Sequence, residues 1–82
     1  MATAEIEKTL KEVNELVSHF IKMPETKMWI DYDKEADVLY ISFKRPQHAT
    51  DSEMLENGIL LRYKGEELVG ITVLNASKRK AV

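Results

Sequence analysis

The sequence predicts an α+β domain in which one N-terminal amphipathic helix precedes a four-stranded antiparallel β-meander. Apolar residues recur at helical spacing between Thr3 and Met23, and the period drops to 2 after Pro24. Neither later strand pair is separated by the dozen or more residues that a parallel crossover needs, so the pairing is antiparallel. The 82 residues make one domain, with the helix in 1–24, the meander in 27–77 and a basic tail in 78–82.

Within the helix, Ile6, Leu10, Val13, Val17 and Phe20 are spaced four, three, four and three apart, which aligns them as one stripe that Leu16 and Ile21 widen. Thr3 is placed to cap the first turn, and Glu5 puts negative charge at the positive end of the helix dipole. Pro24 ends the helix because it has no N–H to donate. On the outer face Glu7 with Lys11, Lys8 with Glu12 and Lys11 with Glu15 stand four apart. Such solvated pairs contribute about 0.2–0.5 kcal/mol each and no chemistry.

Beyond Pro24, Met28, Ile30 and Tyr32 alternate with Trp29 and Asp31, a polar turn runs from Asp33 to Asp37, and Val38 to Lys44 alternates again, which together reads as a hairpin. Arg45 to Glu53 is polar, contains Pro46 and is expected as a loop across an edge or end of the sheet. Asn57 and Gly58 open a third strand, Ile59 to Tyr63. Lys64, Gly65, Glu66 and Glu67 connect it to a fourth, Leu68 to Leu74. Gly70, inside that strand, marks a bulge or a close backbone approach.

Period-2 alternation assigns Ile30, Leu39, Ile41, Phe43, Ile59, Leu61, Val69, Ile71 and Val73 to a first sheet face. It assigns Trp29, Tyr40, Leu60, Arg62, Thr72 and Leu74 to a second. Both faces are partly apolar, and one helix covers one face. A homodimer or a protein partner is therefore expected, with Trp29, Tyr40, Leu60, Arg62 and Leu74 as interface candidates. The alternative seam is the helix stripe itself, which spans three heptads or fewer and so makes a weak coiled coil.

Composition narrows the function classes. With 44% hydrophobic and 32% charged residues the chain is neither disordered nor a membrane protein in composition. Cysteine is absent, which removes disulfides, thiolate metal sites and cysteine nucleophiles, and agrees with a reducing cytoplasm. Charges at Glu5, Glu7 and Lys8 stand where a secretory signal has an apolar run, so a cytoplasmic location without membrane contact is expected. A net charge of −2 lacks the basic footprint of nucleic-acid binding.

The stretch Asp31-Tyr32-Asp33-Lys34-Glu35-Ala36-Asp37-Val38-Leu39-Tyr40-Ile41, then Gly58-Ile59-Leu60-Leu61 and Val69-Gly70-Ile71-Thr72-Val73-Leu74, resembles the domain of unknown function 2283 family of small prokaryotic proteins. The shared positions are Tyr32, Asp33, Glu35, Asp37, Leu39, Tyr40, Ile41, Gly58, Gly70 and Ile71, and the likeness covers Met28 to Ser77. Family members often carry acids where this chain has Arg62 and Thr72, so a carboxylate site of that kind is not expected here. The helix lies outside the shared region. The resemblance implies no established activity. It does imply an association role, since some members look like antitoxin partners of small toxins.

No residue pattern points to catalysis. Asp31, Asp33, Glu35 and Asp37 stand two apart as in a calcium loop. A loop starting at Asp31 has Ala36 and Ser42, and one starting at Asp33 has Val38 and Lys44, where glycine and a bidentate glutamate belong. A hairpin turn held by Asp33 and Asp37 is the better account. His19 and His48 lie on different elements, and nothing in the spacing joins His48 with Asp51 and Ser52 into a hydrolase triad. Trp29, Tyr32, Tyr40, Phe43 and Tyr63 near Lys27, Lys44, Arg45, Arg62 and Lys64 offer a nucleic-acid surface as the alternative function. The ribonucleoprotein strand signature is missing, however, and β-branched and aromatic residues are ordinary strand formers. The expectation is a non-enzymatic protein-association module without cofactor, metal or catalytic residues, with a nucleic-acid or regulatory binder second and a hydrolase third.

Overall fold

The structure, a computed structural model, describes residues 3–79, so most of the basic tail lies outside the described residues. Helix α1 spans Ala4–Phe20. The Thr3 hydroxyl accepts from the Ile6 amide at 3.2 Å, as a capping threonine does for an otherwise unpaired first-turn donor. At the other end the amides of Lys22 and Met23 donate to the carbonyls of His19 and Phe20 at 3.3 and 3.2 Å, one residue closer than in an α-helix. The last turn thus tightens ahead of Pro24.

Five strands follow: β1 (Trp29–Asp33), β2 (Val38–Ser42), β3 (Asp51–Met54), β4 (Ile59–Lys64) and β5 (Glu67–Leu74), then a 3-10 turn at Ala76–Lys78. They form one antiparallel sheet in the order β1-β2-β5-β4-β3. Two expectations are corrected. The sheet has five strands rather than four, because Asp51–Met54, which begins inside the expected loop, pairs with β4 from Asp51 opposite Tyr63 to Met54 opposite Leu60. This segment is exposed throughout and, apart from Met54, polar. It is held by backbone bonds at a sheet edge, where charged side chains also discourage further pairing. The sheet is also not a simple meander, since β5 lies between β2 and β4. β5 is the longest and most buried strand, and a central position gives both of its backbone edges partners.

Local chemistry explains the turns. Gly65 has φ +63° in the two-residue link between paired Lys64 and Glu67, the first-position glycine that a type II′ hairpin turn requires. Gly58 has φ +81° in the β3–β4 turn, where the Asn57 side chain accepts from the Ile59 amide at 3.3 Å. A bulge interrupts the β4–β5 register beside Arg62 and Tyr63, so that Arg62 faces Gly70 and Tyr63 faces Leu68. Val69 is left without a counterpart there. It is fully buried, and its carbonyl accepts from the Phe43 amide at 2.9 Å.

The core is thin. Among the described residues only Val38, Phe43 and Val69 are buried hydrophobic side chains, joined by Thr72. No residue of α1 is buried. The expectation that the helix covers one sheet face is corrected as well, for it covers neither. It projects from the β1 edge, which stretches the molecule to 47 Å against 26 and 25 Å in the other directions. Pro24 sits between the helix and β1, and the residue before a proline is biased to extended backbone, which carries the chain away from a tight helix-to-strand return.

Candidate functional site

The most distinctive surface is apolar and lies in two places. On α1 the whole predicted stripe is open to solvent, with Leu10 60%, Val13 50% and Val17 46% exposed. On the sheet, the register confirms the first face: Ile30 pairs with Ile41, Ile41 with Ile71 and Ile71 with Leu61, while Leu39 pairs with Val73 and Val73 with Ile59. Of these seven side chains Ile30 is exposed and the other six are half-buried, and Tyr32, opposite Leu39, is exposed beside them. Where helix and sheet diverge, Phe20, Met23, Met28, Trp29 and Ile30 line an open cleft of about 820 Å³.

The total accessible surface measures how unusual this is. It amounts to 6997 Å² for a 9.5 kDa chain, whereas a compact monomer of that mass exposes about 5,000 Å², roughly 2,000 Å² less.

The second face is more polar and is partly crossed by a loop. Tyr40, Thr72 and Leu60 stand in one row across it, and Trp29, Ser42, Gly70 and Arg62 in the next. The loop after β2 crosses this second row, and the Gln47 amide donates to the Ser42 hydroxyl at 2.9 Å. A Cβ on Gly70 would run into that amide, so the glycine makes room for the crossing. Of the two features expected of Gly70, the close approach is at the residue itself, and the bulge is at its neighbour Val69. Of the interface candidates, Trp29 and Tyr40 are exposed, while Leu60, Arg62 and Leu74 are half-buried, and the Arg62 Nε is buried without a partner.

Asp37 organises the end of the sheet opposite Gln47. Its carboxylate accepts from the Tyr32 hydroxyl at 2.6 Å, the Ser77 amide at 2.9 Å and the Ser77 hydroxyl at 2.8 Å. Its own φ is +56°, a conformation that aspartate tolerates better than most residues. Asp33 holds the hairpin turn as expected, accepting from the Glu35 and Ala36 amides at 3.1 Å each. Asp37 does something else, tying the C-terminal 3-10 turn to the β1–β2 hairpin. Sequence spacing held no signal for this, because Ser77 lies 40 residues away.

The Tyr32 bond, followed by the two from Ser77, holds the Asp37 carboxyl below the usual carboxylate range, and the same bond raises the Tyr32 phenol above its ordinary value. A depressed carboxyl contributes stability above its unfolded pKa, and this is lost as pH falls through the lower folded value. A raised phenol contributes below its ordinary value, and this is lost as pH rises through the higher one. Asp37→Asn is therefore expected to flatten the acid limb of the stability profile and to return Tyr32 ionisation towards normal. Denaturant melts across pH and ultraviolet titration of the tyrosines check this. An acid limb identical to that of the parent chain would refute it. The effect is modest, because the pair is exposed and screened.

Other candidates stay apart. No group of three or more metal-ligating side chains forms among the described residues. His19 is on α1 and His48 in the loop, both exposed. Lys44 lies 3.6 Å from Glu67, and the Arg79 guanidinium donates to the Leu74 carbonyl at 2.8 and 3.1 Å. No helix among the described residues is long and apolar enough to cross a membrane.

Residues 29–77 match a family described as a protein of unknown function (DUF2283), which covers more than half of the chain. The chain belongs to the DUF2283 family. Neither a curated protein nor a solved structure matches it. The DUF2283 region spans the sheet, ends inside the 3-10 turn and excludes α1. The residues that carry the resemblance in the sequence have physical roles in the structure. Tyr32 and Asp37 form the bonded pair, and Asp33 holds the turn that contains Glu35. Leu39, Ile41 and Ile71 lie on the first face and Tyr40 on the second. Gly58 supplies a positive φ, and Gly70 admits Gln47.

Proposed function

We propose that this DUF2283 chain is a non-enzymatic association module whose working form is a homodimer. The observation that supports the reading is the surface excess of roughly 2,000 Å², well above the about 800 Å² per partner of a standard stable interface. The apolar surface also has a definite form, a fully exposed amphipathic stripe and a half-buried sheet face with Ile30 and Tyr32 exposed on it, and a monomer of this size normally hides both. A protein inhibitor role, as the resemblance to antitoxin-like proteins implies, would use the same surface in a hetero-complex. The nucleic-acid alternative is weaker. Its basic residues include Lys44, which has Glu67 beside it, and Arg79 of the basic tail is engaged with a backbone carbonyl.

Sedimentation equilibrium of the purified chain is expected to return twice the 9.5 kDa chain mass at micromolar concentration. A mass of one chain across the whole concentration range would end the proposal.

A further inference from the structure

The dimer proposed above leaves open what each apolar surface meets, and the geometry points to an exchange: α1 of one copy lies across the first sheet face of the other, and the reverse. This inference rests on the homodimer reading. The 17 residues of α1 make a rod of about 25 Å. That is long enough to cross all five strands of the sheet. The strands that carry the first face, β1, β2, β5 and β4, span about 14 Å, and β3 places Glu53 beside Leu61 at the edge, so the middle of the helix stripe meets apolar side chains.

The competing arrangements leave one surface in water. A helix–helix seam would use Ile6, Leu10, Val13, Val17 and Phe20 and leave the first face uncovered. A sheet-to-sheet dimer would leave those same five residues exposed. Exchange covers both surfaces, and two-fold symmetry repeats the contact, so the area removed from water is counted twice. It also supplies the layer that an α+β domain normally has, a helix stripe against an apolar sheet face, from the second copy instead of the same chain. The open cleft at Phe20, Met23 and Met28 is where the two copies would cross.

The absence of cysteine makes the test clean. A Val13→Cys chain and an Ile71→Cys chain are mixed, allowed to exchange subunits and mildly oxidised. Most of the disulfide-linked product is expected to be mixed, joining one Val13→Cys chain to one Ile71→Cys chain, with little self-linking of either variant alone. Leu61→Cys in place of Ile71→Cys repeats the measurement at the neighbouring position, and circular dichroism shows that each variant is folded. Efficient self-linking of the Val13→Cys chain would overturn the exchange in favour of a helix seam. No mixed product from a sample with dimer mass would overturn the exchange while leaving the homodimer standing. A single-chain mass would overturn both.

Discussion

Val13→Glu is expected to turn the dimer into monomers, raising the dissociation constant at least about 100-fold. Val13 is the middle residue of the helix stripe, with Ile6 and Leu10 before it and Val17 and Phe20 after. In any association through α1 it is covered, and a carboxylate there would be buried without a partner. Uncompensated buried charges cost about 3–5 kcal/mol, and each 1.4 kcal/mol is tenfold in affinity. In the single chain the same position is half exposed, so the substitution leaves the folded sheet within about 0.5 kcal/mol of the parent. Lys11→Glu, on the opposite side of the helix, changes charge further but keeps the dimer mass. Sedimentation of the three proteins separates the outcomes, and an unchanged mass for Val13→Glu would remove α1 from the interface.

Phe43→Ala is expected to unfold most of the protein at room temperature. Phe43 is 5% exposed, sits beside the bulge residue Val69 and is one of only three buried hydrophobic side chains among the described residues. Removing a buried phenylalanine costs about 3–5 kcal/mol, while 82 residues at typical stability hold about 4–12 kcal/mol, and a core this thin belongs at the low end. The chain has two phenylalanines, and the other provides the contrast. Phe20 lies at the end of the exposed helix stripe, so Phe20→Ala weakens association and leaves the urea midpoint of the sheet unchanged at low protein concentration. Equal midpoints for Phe43→Ala and the parent would show that Phe43 does not hold the core together.

Local signals are readable wherever a side chain has to meet its own neighbours. The Thr3 cap, the period-3.6 stripe, the Asp33 turn and the glycine turns at Gly58 and Gly65 all follow from contacts within a few residues. The two sheet faces are also readable, because alternation determines facing whichever strands pair. The pairing of Tyr32 with Asp37 is equally local, since the two and the turn between them occupy six consecutive residues.

What sequence could not supply is the meeting of distant segments. β3 is Asp-Ser-Glu-Met, with no strand pattern of its own, and it becomes a strand because β4 offers it an unpaired backbone edge. The insertion of β5 between β2 and β4, the Gln47 crossing above Gly70 and the Ser77 bonds to Asp37 depend on the same kind of long-range closure.

Helix α1 shows the division most clearly. Its amphipathic stripe is written in the residues from Ile6 to Phe20, because burial of an apolar face needs only the helical repeat to define it. Which surface receives that face is decided in three dimensions. Backbone and packing carry α1 off the β1 edge, and the hydrophobic effect, being non-directional, accepts a second copy as readily as the same chain.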